Sequence, residues 1–338
     1  MKSTLGFLGK ATFAACAFLL SFTVPLEAAW TTFNLPPLGQ SFGSYWMEHL
    51  SDGRLVYGST NDLDLETAFG SGTLVDYSNA LAWDPSGLTL RHDNLAAVGQ
   101  GTFGNSGIYL FDPSNPGTGF TAIAGVSIQN YSLLFRDGSS LYVGGLNGTE
   151  TNAFSLPKHA ISYVTLDGSV NKVIIDNVSE FSGNFAVDLT GNLYVTNNDN
   201  GGLYKFSAAQ LDAAISGSAL SISAGQFLTT LPANSSIAID SQGRILSAGF
   251  GVNGFDLYDP ADDTHTNIVP ALSNPNYVVT TFSDGTDDYI AYLNAAGSSA
   301  GSAITYGYDK VSNVVPEPSS MLLLVLSVAG FASCRRRS

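Results

Sequence analysis

The chain has 338 residues, of which 44% are hydrophobic and 12% are charged, and its formal net charge is −15. Five of the 13 basic and two of the 28 acidic residues lie before residue 30 or after residue 314, so the stretch between carries a net charge near −18. A surface of that sign repels nucleic acid, and we expect no nucleic-acid partner. Both cysteines, Cys16 and Cys334, lie in the two end segments, which excludes disulfides, thiolate-ligated zinc and thiol catalysis from residues 30–314.

Residues 1–29 have the composition of a secretory signal peptide. Lys2 and Lys10 form a basic segment, Ala11–Val24 is almost wholly apolar, and small residues follow in "PLEAAW" at 25–30. This order predicts a signal helix, passage through the Sec translocon, and cleavage by signal peptidase after Ala28 or Ala29. A retained membrane anchor is the alternative, although the apolar run is short for a spanning helix.

A unit of strand, aspartate turn and strand recurs between residues 30 and 314. Two full copies are "FAVDLTGNLYVTNNDNGGLYKF" at 185–206 and "IAIDSQGRILSAGFGVNGFDLYDP" at 237–260. The turn aspartates are Asp52, Asp93, Asp137, Asp188, Asp240 and Asp284, spaced 41 to 52 residues apart. That spacing is typical of β-propeller blades, each of which buries its two apolar faces against its neighbours. The sequence therefore predicts an all-β protein whose residues 30–314 form one six-bladed β-propeller, in preference to a β-sandwich or a β-helix.

Third strands of the blades are predicted at 72–78, 107–113, 160–168, 202–206, 254–260 and 303–309, and the stretch 294–303 is predicted as a loop inside the last blade. Alternating strands such as "FAVDL" and "NLYVTN" resemble those of the NHL and SMP-30/gluconolactonase-like six-bladed propellers. The resemblance covers about residues 40–312 and concerns the general blade pattern, so it implies the architecture rather than one subfamily.

The same resemblance implies where a reactive site would lie. SMP-30-like lactonases hold one divalent cation in the central channel through oxygen ligands from different blades, and such ligands suit Ca²⁺. The candidate ligands here are Glu48, Asn147, Asn198, Asp199 and Asp284, with Asn197 and Asp287 beside them. None can be matched residue by residue to a lactonase motif. The alternative is that "NNDNGG" at 197–202 is a turn-forming loop without a ligand.

Two acidic stretches, "NDLDLE" at 61–66 and "DPADDTH" at 259–265, also invite a calcium interpretation. Both lack the glycine and the terminal glutamate of an EF-hand loop, so we predict solvated surface loops. No sequence motif indicates a zinc pair, a serine nucleophile or a phosphate loop. Glu48 and His49 are adjacent on a predicted strand and should point to opposite faces, so they should not cooperate as an acid and base pair.

Residues 315–338 have four parts in a fixed order. Pro316, Glu317 and Pro318 form a turn whose prolines prevent a helix, two serines follow, Met321–Ala332 is apolar, and a basic cluster comes last. That cluster consists of Arg335, Arg336 and Arg337. The apolar run predicts a short transmembrane helix whose arginines stay on the cytoplasmic side. A simple tail anchor is one interpretation.

This order closely resembles the PEP-CTERM sorting signal. The resemblance implies that an exosortase recognises the tail and that the protein is exported by a Gram-negative bacterium, often one that makes extracellular polysaccharide. The protein would be anchored transiently in the inner membrane and then reach the cell surface or the extracellular matrix.

Three functions remain open from the sequence. The favoured one is a non-catalytic surface propeller that binds polysaccharide or another exported protein. The second is a metal-dependent hydrolase of the SMP-30/gluconolactonase-like kind, which needs Glu48 and at least one of Asn147, Asn198 or Asp284 to meet at a cation. The third is a structural matrix protein without a defined small ligand. The fold alone does not decide among them.

Overall fold

The structure, a computed structural model, describes residues 30–36, 46–59, 62–76, 85–100, 106–115, 118–233, 235–249, 251–270, 276–297 and 301–314. The predicted signal helix and the predicted transmembrane helix of the tail lie outside these residues. Across the described ranges, no helix is both long enough and apolar enough to cross a membrane.

The described strands form six sheets, which we number as blades in chain order. The first strand, β1 (Thr31–Leu35), precedes blade 1, which contains β2 (Trp46–His49), β3 (Leu55–Ser59), β4 (Asp62–Glu66) and β5 (Leu74–Asp76). Blade 2 contains β6 (Pro85–Leu90), β7 (Ala96–Gln100), β8 (Gly107–Phe111) and β9 (Thr121–Ala122). Blade 3 contains β10 (Asn130–Asp137), β11 (Ser140–Thr151), β12 (Pro157–Thr165) and β13 (Asn171–Ser179).

The second half of the chain repeats this arrangement with one insertion. Blade 4 contains β14 (Phe185–Val187), β15 (Leu193–Asn197) and β16 (Gly202–Phe206), then helix α1 (Ala208–Ser216), β17 (Leu220–Ser221), a 3₁₀ turn (Ile222–Ala224) and β18 (Gln226–Thr230). Blade 5 contains β19 (Ser236–Ile239), β20 (Ile245–Ala248), β21 (Phe255–Asp259) and β22 (Thr264–Ile268). Blade 6 contains β23 (Tyr277–Ser283), β24 (Asp288–Ala295) and β25 (Ile304–Lys310), followed by the short helix α2 (Val311–Val314).

The six blades form a closed ring. The first strand of each blade is the innermost, and the inner strands β2, β6, β10, β14, β19 and β23 each contact the inner strands of both neighbouring blades. Successive strands of a blade pair antiparallel, whereas β17 leaves blade 4 to pair in parallel with β13 on the edge of blade 3. The predicted six-bladed β-propeller is therefore confirmed.

Blade 6 is completed by the strand from the other end of the propeller. β1 pairs antiparallel with β25 from Thr31↔Tyr308 to Leu35↔Ile304, so the sheet order is β23-β24-β25-β1. Trp30, just before β1, packs edge-on against Tyr292 of blade 6 and Phe255 of blade 5, with ring centroids 5.1 and 5.9 Å apart. Pairing of this kind joins the two ends of the propeller in one sheet and gives blade 6 its fourth, outermost strand.

All six predicted turn aspartates lie where the first strand of a blade turns into the second. In blade 4, the Asp188 carboxylate accepts the N–H groups of Thr190 and Asn192 at 2.9 and 3.0 Å, and Gly191 adopts a φ of +80°. In blade 5, the equivalent Asp240 also forms a buried ion pair with Arg244. Each turn is thus fixed by a local side-chain cap and, in most copies, by a glycine with positive φ.

The prediction for the outer strands of blade 1 was wrong. Residues 72–78 were predicted as the third strand, but the third strand is β4, inside the acidic stretch predicted as a solvated loop. Glu66 of this strand is 1% exposed, and its carboxylate accepts the N–H groups of Leu55 and Gly72 at 3.1 and 3.0 Å. A tertiary hydrogen-bond network therefore makes this acidic segment a buried strand. The other acidic stretch, 259–265, is largely exposed, as predicted, and consists of the end of β21, the turn after it and the start of β22.

Two insertions account for the longest spacings between turn aspartates. The β11–β12 hairpin extends beyond the length of an ordinary blade, and α1 lies between β16 and β18. The helix begins with a capping box, in which Ser207 accepts the N–H of Gln210 and the Gln210 side chain accepts the N–H of Ser207. Its buried residues Leu211 and Ala214 pack against the core between blades 3 and 4.

Candidate functional site

A cavity of about 850 Å³ lies at the centre of the ring, and all six inner strands or the residues just before them line it. Its apolar wall comes from residues such as Met47, Leu133 and Phe185. Its polar wall consists of hydroxyl and amide side chains, which belong to Tyr131, Ser132, Ser182, Asn184, Asn198, Ser235, Ser236, Asn276, Thr280 and Thr281. Among the described lining residues, Glu48 is the only acidic or basic one.

Glu48 is on the channel wall because it is the third residue of inner strand β2. Its neighbour His49 points the other way, where its ring stacks on Phe282 at 3.7 Å between centroids and its Nε2 contacts the Tyr306 hydroxyl at 2.8 Å. The prediction that Glu48 and His49 face opposite sides of the strand is therefore confirmed. Burial lowers the pKa of His49 to about 3, so the imidazole is neutral at ordinary pH.

The Glu48 carboxyl makes no hydrogen bond or ion pair with any residue that the structure describes. Protein atoms surround it on most sides, and this desolvation raises its pKa from 4.5 to about 8. At neutral pH the group is therefore largely protonated, and it can both donate and accept a hydrogen bond. A protonated carboxyl without a partner is an available recognition group for a neutral polar ligand.

Asn198 is the second predicted ligand on the channel wall. It follows β15, and its Nδ2 donates to the Ser182 hydroxyl at 2.8 Å while its Oδ1 accepts from the Thr196 hydroxyl at 3.3 Å. Asn147 and Asp199 are not among the described lining residues. Asp199 uses both carboxylate oxygens to accept the backbone N–H of Glu180, at 3.1 and 3.0 Å.

Asp284 lies at the opposite end of the channel from Asn198. It belongs to the turn after β23, whereas Asn276 on the channel wall immediately precedes that strand. The Asp284 carboxylate accepts the N–H groups of Thr286 and Asp287 and the Tyr289 hydroxyl, and the two backbone hydrogen bonds lower its pKa. It is therefore engaged in its own turn.

The five predicted cation ligands do not converge at one point. Glu48 and Asn198 reach the channel, and Asn147, Asp199 and Asp284 make other contacts. In the described part of the chain, no group of three or more histidine, cysteine, aspartate or glutamate side chains is placed to hold a metal ion. A Ca²⁺ ion in the channel stays a prediction that rests on Glu48 and Asn198, and no step of a reaction can be derived from it.

The sequence also carried a signal for the polar wall that residue-type reasoning missed. Ser182 and Asn184 immediately precede the first strand of blade 4, Ser235 precedes that of blade 5, and Asn276 precedes that of blade 6. In each blade the first strand begins at the same end of the channel. In blades 4, 5 and 6, polar residues just before the first strand therefore mark one mouth of the channel.

Comparison with known proteins identifies the tail and supports the fold. Residues 314–337 match the PEP-CTERM protein-sorting motif, and this range includes all six residues predicted as the sorting signal. The motif implies an exported protein that is sorted through an exosortase. No curated protein sequence matches this chain significantly.

Several solved structures share the propeller fold. A gluconolactonase from Xanthomonas campestris is 14% identical, with 82% of this chain and 89% of that chain covered and a TM-score of 0.56. A chain of a mitotic checkpoint complex is also 14% identical, with 87% and 82% covered and a TM-score of 0.52. The virginiamycin B lyase of Staphylococcus aureus is 11% identical, with 83% and 99% covered and a TM-score of 0.50. At these identities the similarity describes the fold alone.

Proposed function

We propose that this exported propeller binds a sugar of an extracellular polysaccharide at the mouth of its channel and does not react with it. The observation that carries the proposal is the chemistry of the wall, where many hydroxyl and amide groups line the channel together with the Glu48 carboxyl. This carboxyl has no hydrogen-bond partner among the described residues, and burial raises its pKa to about 8. Neutral sugars present hydroxyl groups that both donate and accept hydrogen bonds. A wall with few charges and many such groups is complementary to them.

The lining residues that the structure describes include no acid and base pair for hydrolysis. His49 faces away from the channel, and His159 is fully buried, with burial lowering its pKa to about 3. Glu48 is the one carboxyl among the described lining residues, whereas glycoside hydrolysis ordinarily uses two carboxyl groups on either side of the bond. Binding without reaction is the simplest use of this arrangement.

The test is calorimetric titration of the exported protein with neutral, amino and uronic-acid oligosaccharides. We expect saturable binding of a neutral oligosaccharide. Glu48→Gln should keep that binding at pH 7, because an amide imitates the protonated carboxyl in shape and in hydrogen bonding. Glu48→Leu should weaken it at least tenfold, because leucine can neither donate nor accept a hydrogen bond to the sugar. A complete absence of saturable binding would leave the structural matrix protein as the better description.

A second candidate is a metal-dependent hydrolase, and the free Glu48 carboxyl on the inner strand of blade 1 is the observation that favours it. The test is the metal content of the purified protein, by elemental mass spectrometry after exhaustive dialysis. About one calcium or zinc ion per chain, lost in Glu48→Gln, would support this function. Absence of a retained ion in the wild-type protein would contradict it.

A further inference from the structure

Two phenylalanine side chains are exposed side by side on blade 3. Phe154 lies in the loop of the β11–β12 hairpin and is 73% exposed, and Phe181 follows β13 and is 41% exposed. Their ring centroids are 5.3 Å apart, and the planes are inclined by 58°. Large aromatic side chains at this level of exposure gain little from their own burial, and two of them together offer an apolar surface to a ligand.

The hairpin loop that carries Phe154 is rigidly held. The Asn152 side chain, 6% exposed, accepts the N–H groups of Phe154 and Leu156 at 2.9 and 3.1 Å. Its amide donates to the Glu180 carbonyl at 3.1 Å, across to the segment that carries Phe181. Ser155 has a φ of +61°, a conformation that a non-glycine residue adopts at some cost. The structure thus fixes the loop at the position that displays the ring.

Glu180 joins the two segments that carry the rings. Its carboxylate accepts the N–H of Ala153 at 3.1 Å and the Lys158 ammonium at 3.0 Å. Its own N–H is held by Asp199. The relative position of the two rings is therefore determined before any ligand arrives, which reduces the entropy lost on binding.

The ring pair adjoins the channel mouth. Phe181 is followed directly by Ser182, which lines the channel, and Asp199 follows directly on Asn198, which lines it too. A chain-like ligand that stacks on the rings can therefore reach the polar wall with its next units. A compact ligand bound inside the channel would not contact the two rings.

Charge and area restrict the class of ligand. The carboxylates nearest to the pair in the hydrogen-bond network are those of Glu150, Glu180 and Asp199, and the one cation among them, Lys158, is paired with both glutamates. This acidic border repels anionic polymers and anionic lipid head groups. Two rings also provide far less than the roughly 800 Å² per partner of a stable protein interface. A neutral sugar chain fits, since its C–H faces stack on aromatic rings and its hydroxyls donate to carboxylates.

We propose that Phe154 and Phe181 form a stacking platform for consecutive units of a neutral polysaccharide chain and direct it to the channel mouth. This inference rests on the proposed function and adds the surface along which the polymer lies. It predicts that polymer length matters, because only a chain of several units spans both the platform and the mouth.

The test is affinity electrophoresis and calorimetry of the full exported protein with neutral glucans, mannans, galactans and xylans of increasing length. The Phe154→Ala/Phe181→Ala double variant should bind long chains at least tenfold more weakly than wild type and bind the shortest sugars unchanged. The matched control is Phe227→Ala, since Phe227 is 54% exposed and forms a ring pair with Tyr204 on the outer part of blade 4. We expect this control to bind like wild type.

Three results overturn the platform, and they separate it from the channel proposal. Unchanged long-chain affinity in the double variant, together with weaker binding in Glu48→Leu, rejects the platform and keeps the channel site. Equal loss in the Phe227→Ala control shows that surface aromatic residues act without specificity and rejects the platform. Absence of binding by wild type to every neutral polymer rejects both proposals. Thermal unfolding of each variant verifies that folding is intact.

Discussion

The protonation of Glu48 should make the stability of this protein depend on pH. Its folded pKa is about 8, compared with 4.5 for an ordinary glutamate, because the channel wall desolvates the carboxylate. A carboxyl with a raised folded pKa holds its proton more tightly in the folded than in the unfolded state. Its contribution to stability is therefore fully present below pH 4.5 and is lost as the pH rises towards 8.

The size of this loss follows from the displacement of the pKa. Each tenfold change in proton affinity corresponds to about 1.4 kcal/mol, so the full displacement corresponds to at most about 5 kcal/mol. Glu48 also faces the channel, which lessens the desolvation slightly, and we expect a loss of about 4 kcal/mol. Glu48→Gln removes the titrating group, so this variant should gain that amount relative to wild type between pH 4 and pH 9.

The assay is urea unfolding of wild type and Glu48→Gln at a series of pH values from 4 to 9. Glu150→Gln, which changes an exposed carboxyl, is the control and should follow wild type. Identical pH dependence in wild type and Glu48→Gln would refute the argument that the channel desolvates Glu48. Repeating the series with Ca²⁺ examines the second candidate function, because a bound cation would lower the pKa of Glu48 and abolish the loss.

Three further predictions concern the ring itself. Asp240→Asn leaves Arg244 buried without its counter-charge and should lower the free energy of unfolding by about 3–5 kcal/mol. Asp52→Asn, which breaks an exposed ion pair, should lower it by less than about 1 kcal/mol. Equal losses for the two variants in urea unfolding would contradict this prediction. Deletion of residues 31–35 should abolish the cooperative thermal transition and expose blade 6 to protease, because β25 loses its partner; an unchanged cleavage pattern would argue against completion of blade 6 by β1. His159 is buried neutral with a pKa lowered from 6.5 to about 3, so its contribution to stability is lost as the pH falls through that range. His159→Leu should therefore reduce the acid sensitivity seen between pH 7 and pH 4, and unchanged acid sensitivity would refute this.

The architecture could be predicted because its determinants are local and repeat. Each blade contains an aspartate that caps the turn after its first strand, and this motif is visible in the sequence. The six turn aspartates therefore predict the number of blades and the position of every inner strand. Helix α1 was not predicted, although Ser207 and Gln210 have the spacing of a capping box. The strand pattern on both sides favoured a continuous series of strands.

The errors arose where distant contacts override local composition. The stretch 61–66 reads as a solvated acidic loop, yet Glu66 is buried because it satisfies backbone N–H groups of two other segments. The candidate site was predicted only in part, because contacts between distant segments also decide which side chains line the channel. Residue type and blade position placed Glu48 and Asn198 in the channel. Asp284 does not join them, because it follows β23 and therefore lies at the other end of the channel. Its residue type alone does not show at which end of the strand it lies.

The pairing of β1 with β25 also sets an order of events in time. During synthesis and export, residues 31–35 emerge first, yet their partner, residues 304–310, emerges last. Most other blades are contiguous in the chain and can assemble as they appear, whereas this long-range pairing must wait. The sorting motif starts at residue 314, at the end of the short helix α2 that follows this partner strand. The ring can therefore close only when the sorting signal is about to follow, so completion of the fold and presentation of the tail to its sorting machinery become nearly simultaneous.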